Sequence, residues 1–186
     1  MKTIKVPTRD EVDPEAQELF DKLQRRLGKV PNLYATMGHS STALKAFLEF
    51  EETLGKGVFT PKEREAIALI VSELNGCAYC LAGHTALAIK RGFTNEETLS
   101  IRKNQVSDIK LNAVIQLASS MVINKGKPSN QLLEDFYTAG FDAGALMELI
   151  GLITVRVFTN YVFAGTAIPI DFPLADAVPI TKNSEF

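Results

Sequence analysis

The sequence has no tryptophan and only two cysteines and two histidines in 186 residues. Any thiol or imidazole chemistry must therefore be built from Cys77, Cys80, His39 and His84. With no second Cys/His pair, a structural zinc site is disfavoured, because such sites usually draw ligands from two knuckles or loops. The two cysteines are also too close in sequence for a stabilising crosslink, since a bond between near neighbours closes almost no loop. Blocks of like charge are missing as well. The 20 basic and 22 acidic residues are mixed along the chain, giving a net charge of -2 and a pI of about 5.8, which argues against nucleic acid as the main partner. The first ten residues hold no apolar core long enough for a signal peptide, so a cytoplasmic location is expected. The most apolar tract, Ala143 to Ile170, is interrupted by Glu148 and Arg156, which predicts a buried helix and no membrane span.

No alternating strand pattern of convincing length occurs, whereas helix signals recur throughout. Asp13-Pro14-Glu15 offers an N-cap, a proline at the first helical position and an acidic first turn, and the apolar period that follows ends at Gly28. A short helix is expected over Asn32 to Met37, and another starts from Ser40 or Ser41 and stops at Gly55. Thr60 and Glu63 form a capping box for the next helix, and Thr94 and Glu97 form one for a short later helix. Asp108 to Asn124, Ser129 to Ala139, and Asp142 to about Phe163 complete the set. The expected fold is all-α, a compact helical bundle forming a single domain over residues 1–186. The very apolar last helices, including Leu149 to Val155, hold more apolar surface than so small a bundle hides, which points to a homo-oligomer.

The chemistry concentrates between Glu65 and His84. Asn75-Gly76 breaks one apolar helical pattern and a second begins, placing Cys77 at or just inside a helix N-terminus. Cys77, Cys80 and His84 then project from one face on successive turns. The positive end of the helix dipole favours thiolate over thiol, and the C-x-x-C spacing lets one sulfur capture the other, so a lowered thiol pKa is expected. An imidazole one turn on can take or return a proton. Glu65, on the preceding helix and in step with Ala68, Leu69 and Ser72, can fold back to orient that ring. Glu73 is nearer in sequence but less favoured, and His39, beside a cap, is read as having a local structural role.

Glu65, Cys77-x-x-Cys80 and His84 in this spacing resemble the signature of the AhpD-like alkylhydroperoxidases of the carboxymuconolactone decarboxylase superfamily. The likeness is strong over about residues 60–92. It continues more loosely through Val30-Pro-Asn-Leu-Tyr34, Gly38-His-Ser40 and Ile170-Asp-Phe-Pro173, which are similar to longer, peroxidase-related members. The resemblance implies a thiol-dependent peroxidase or disulfide oxidoreductase. Cys80 would attack a hydroperoxide, Cys77 would resolve the sulfenic acid as a disulfide, and Glu65 and His84 would relay the proton. It also implies a trimer or hexamer. An external thiol or dithiol would supply the electrons, with a lipoyl protein or a peroxiredoxin as possible partners, and neither a cofactor nor a metal is expected. Tyr79 stands where some AhpD proteins carry a histidine, so a second imidazole is not expected in the relay. The region Tyr161 to Pro169 lacks the further histidine and acid of some longer members.

Two other readings stay open. A carboxymuconolactone-type decarboxylase or lactone-processing enzyme would have no need of two thiols. A non-catalytic helical oligomer, or a zinc module using Cys77, Cys80, His84 and Glu65, would leave the redox arrangement idle.

Overall fold

The computed structural model describes residues 4–178, so the outermost residues of the single domain expected over 1–186 lie outside the described part. A single turn of 3-10 helix at Arg9–Glu11 precedes nine α-helices among the described residues. These are α1 (Pro14–Leu27), α2 (Asn32–Met37), α3 (Ser41–Leu54), α4 (Pro61–Leu74), α5 (Ala78–Lys90), α6 (Asn95–Arg102), α7 (Ile109–Ile123), α8 (Asn130–Thr138) and α9 (Ala143–Thr166). No strand is present among those residues, in agreement with the all-α expectation.

Local chemistry accounts for most helix starts. Asp13, Ser40, Thr60, Thr94, Asp108, Ser129 and Asp142 each accept a backbone N–H from the first turn, and at Thr60 and Thr94 the reciprocal glutamate completes a capping box. The residue at the α1 end is Gly28 at φ 77°, a left-handed position that glycine occupies without steric cost.

The helix α4 is the axis of the bundle. Glu65 to Ser72 are all buried on it, and it packs against α5, α6, α7 and α9. A helix covered on every side cannot show a strong polar face, which is why its apolar pattern is nearly continuous. One core cluster surrounds α4 with residues of α7, α8 and α9, among them Leu117, Phe136 and Leu149. A second joins Phe20, Leu33, Leu44 and Phe47 of the first three helices to Cys77, Tyr79 and Cys80.

The long last helix runs to Thr166, three residues past the expected end, and stops where Ala167 turns left-handed at φ 48°. Within the stretch Leu149 to Val155, Leu149, Leu152, Ile153 and Val155 are buried within the chain, while Ile150 is exposed. Met147, Phe158 and Tyr161 are the other large apolar residues left exposed on α9. By length and composition alone α9 could cross a membrane, but it carries the polar Arg156, Thr159 and Asn160 buried against the rest of the protein.

After α9 the chain runs back without regular structure across α5. Asp171 anchors this closing segment: it accepts the Tyr79 hydroxyl at 2.5 Å and the Lys29 ammonium at 2.9 Å, while Lys29 also donates to its backbone carbonyl at 2.6 Å. Phe172 meets Tyr79 edge-on and lies against Gly83, where a bare Cα leaves room for the ring.

Candidate active site

The break at Asn75-Gly76 hands the chain from α4 to α5, with Gly76 left-handed at φ 63°. Cys77 becomes the N-cap of α5, and its sulfur accepts the Cys80 N–H at 3.3 Å. Cys77 and Cys80 are joined as a disulfide with Cα atoms 5.3 Å apart, and both are almost wholly buried. Two sulfurs at the positive end of a helix are placed where negative charge is stabilised. Thr159 of α9 lies beside the pair, its hydroxyl 3.9 Å from the Cys80 sulfur.

One turn further along α5, His84 is held from two sides. Its Nδ1 is 2.7 Å from a carboxylate oxygen of Glu65 on α4. The other oxygen of Glu65 takes Arg91 at 2.5 Å, so this buried carboxylate is fully partnered. On the far side, Nη1 of Arg156 donates to His84 Nε2 at 3.0 Å. The second terminal nitrogen of Arg156 forms an ion pair with Glu51 of α3. Burial pulls the Arg156 guanidinium below the ordinary arginine value. A polar cavity of about 80 Å³ adjoins this array, bordered by Glu51, Arg64, Glu65, His84, Arg91 and Arg156.

The four residues singled out from sequence thus fall into two bonded pairs on neighbouring helices: Cys77 with Cys80, and Glu65 with His84. Among the described residues, no hydrogen bond joins His84 to either sulfur. Glu73 stands apart, bound to Arg102 at 2.7 Å, and His39 reaches the Lys5 carbonyl at 2.9 Å, away from the array. Three members were not expected: Arg156, its partner Glu51, and Arg91. The one sequence sign of Arg156 is a charge in an otherwise apolar stretch. The zinc alternative would need both sulfurs and the imidazole free, whereas here the sulfurs are bonded to each other and both ring nitrogens are engaged.

Residues 42–119 match the carboxymuconolactone decarboxylase family, a stretch that runs from α3 into α7 and holds the whole cysteine–histidine unit. This matched stretch is what the chain shares with the carboxymuconolactone decarboxylase family. No curated protein matches the sequence. Solved structures similar to it include an uncharacterized peroxidase-related protein from Silicibacter sp. TM1040, at 24% identity and TM-score 0.77, covering 90% of this chain and 91% of that one. An AhpD-core peroxidase-related protein from Ralstonia eutropha JMP134 is 18% identical with a TM-score of 0.81, covering 92% and 94%. A cysteine-to-alanine variant of the debrominase Bmp8, in complex with 2,3,4-tribromopyrrole, is 19% identical with a TM-score of 0.77, covering 92% of each chain. At these identities the similarity of structure speaks for the AhpD-like fold alone.

Proposed function

We propose that this chain is an AhpD-like member of the carboxymuconolactone decarboxylase superfamily and a thiol-dependent oxidoreductase that reduces hydroperoxides through Cys77 and Cys80. The observation that carries the reading is the disulfide at the start of α5, one turn from a histidine whose ring is oriented by a buried carboxylate. In the reduced protein, His84 takes the proton of Cys80 and Glu65 balances the charge that develops on the ring. The Cys80 thiolate attacks the outer peroxide oxygen, the O–O bond breaks, and an alcohol leaves with a proton while Cys80 becomes a sulfenic acid. Cys77 attacks that sulfur, releasing water and forming the disulfide. An external thiol or dithiol, such as a lipoyl group, returns two electrons, and a peroxiredoxin is an alternative disulfide partner. The working form is a cytoplasmic homo-oligomer, a trimer or hexamer, with the exposed apolar residues of α9 supporting subunit contact.

The test mixes fully reduced protein with cumene hydroperoxide and counts the thiols lost. Two thiols should disappear per chain in wild type, one in Cys77→Ser, and turnover should vanish in Cys80→Ser. Unchanged thiols in wild type defeat the peroxidase reading. The debrominase of the same fold motivates a second arm with a brominated pyrrole as oxidant. Bromide release from that substrate, with cumene hydroperoxide left untouched, would transfer the same dithiol chemistry to reductive debromination.

A further inference from the structure

A guanidinium has five N–H donors and no acceptor, so the 3.0 Å contact from Arg156 to His84 requires a lone pair on Nε2. The ring proton must then sit on Nδ1, where it is donated to Glu65 at 2.7 Å. In this disulfide state His84 is a neutral imidazole whose one basic nitrogen is already occupied. Nothing else on the ring can accept the Cys80 proton.

We infer that Arg156 is a positioning residue that fixes the His84 tautomer and caps its basic nitrogen, and that it withdraws into the adjoining cavity before His84 can take the proton of Cys80. This presupposes the thiol chemistry proposed above. When the cap is withdrawn, the proton passes from the Cys80 sulfur to Nε2, leaving a thiolate and an imidazolium that faces Glu65. Arg156 keeps all its own protons throughout.

The surroundings permit the movement. The second terminal nitrogen of Arg156 is already paired with Glu51, whose side chain is 37% exposed at the edge of the array and can draw the guanidinium outward. The cavity of about 80 Å³ beside Glu51, His84 and Arg156 is large enough for a displaced side-chain tip or two waters. Every charged group packed around the ring has a definite place in the balance. From α4 come Glu65 and Arg64, and just past the end of α5 comes Arg91. The helix α3 supplies Glu51, α9 supplies Arg156, and the buried Tyr34 hydroxyl of α2 lies near enough to interact with Arg156. With His84 neutral, the bonded chain Arg91, Glu65, His84, Arg156, Glu51 carries two cations and two anions. Protonating the ring while Arg156 stays in contact adds an uncompensated charge in a buried site, so imidazolium formation and departure of the cap are coupled.

Two measurements test this. The first is ¹⁵N–¹H correlation of the His84 ring in the oxidised protein, which should show a proton on Nδ1 and none on Nε2. A proton on Nε2 overturns the inference, whatever the protein's activity. The second is the rate of iodoacetamide capture of Cys80 at neutral pH in a Cys77→Ser background. Arg156→Met should raise that rate about fivefold, the equivalent of one ordinary hydrogen bond removed from the nitrogen. Glu51→Gln removes the competing anchor and leaves Arg156 held on the ring, so it should slow capture by about twofold to fivefold. A purely structural role would move both variants the same way, and that result, or a slower Arg156→Met protein, overturns the inference. If Arg156→Met does not fold, Arg156→Met combined with Glu51→Gln removes both charges and should still react faster than Glu51→Gln alone. Failure of wild type to reduce cumene hydroperoxide, with the ring tautomer and both rate changes as stated, would sink the peroxidase reading and leave Arg156 in its place.

Discussion

Glu65 accepts from His84 through one oxygen and from Arg91 through the other, so a neutral amide in its place both weakens the orientation of the ring and strands a cation. Glu65→Gln is expected to cut peroxide-dependent turnover by about 100-fold or more, within the range for one member of a positioned acid–base pair. Steady-state kinetics with cumene hydroperoxide, alongside a circular dichroism melt to show that the protein still folds, checks this. At this scale the sequence is informative for groups whose spacing within or between adjacent helices sets their contacts. Cys77, Cys80 and His84 lie within two turns of one helix, and Glu65 is one tight connection away. Arg156 was not legible in that way because its partners, His84 and Glu51, come from α5 and α3, and only the tertiary packing of α9 against both brings them together.

Individual helices obey local rules, and where they meet their neighbours those rules run out. The caps at Asp13, Thr60, Thr94, Asp108 and Asp142 are visible as residue types, and the helices they start are where the sequence puts them. The end of α9 lies past the expected Phe163 because the left-handed turn at Ala167 carries no glycine to announce it. A second tertiary detail concerns Gly38, which follows α2 with an ordinary negative φ of -63°. A methyl group there would come within 2.5 Å of the buried Phe20 ring of α1 and 2.9 Å of the Ala35 carbonyl. Gly38→Ala should therefore cost about 1–3 kcal/mol through overpacking, read as a lower urea midpoint with an unchanged slope. The closing segment gives a prediction with a pH sign. Burial opposes charge on Asp171, but hydrogen bonds from Tyr79, Lys29 and the Asn32 N–H outweigh it and hold the carboxyl below its usual value. A depressed carboxyl contributes its full stabilisation above the unfolded value of about 4 and loses it as pH falls through the folded value. Asp171→Asn should therefore lower stability by about 1–3 kcal/mol at pH 7, with the gap from wild type shrinking in acid; denaturant melts at both pH values measure it. An equal gap in strong acid would mean that packing, not ionisation, carries the effect.

For the whole molecule, the question is what covers the outside of α9. Met147, Ile150, Phe158 and Tyr161 are partly or largely exposed along one helix, and Ile4, Met37 and Phe158 border an apolar groove beside it. Contact between copies of the chain is the expected use of that face. Phe158→Glu combined with Tyr161→Glu should reduce the mass measured by light scattering to that of a single chain, while the helical circular dichroism spectrum is kept. A wild-type protein that is already monomeric at micromolar concentration would remove the basis for this expectation. The apolar excess of α9 is legible in the sequence, but which of its residues end up facing out is not. A hydropathy pattern cannot distinguish the stripe that α4 buries from the stripe left facing out.

The bond between Asp171 and Tyr79 also bears on how the protein is made. A nascent polypeptide leaves the ribosome in order, so the cysteine-bearing helix emerges long before the stretch that shields its tyrosine side. During that interval the Tyr79 phenol lacks its acceptor. Each newly translated copy thus holds its cysteine-bearing helix without this anchor until residue 171 has emerged and docked.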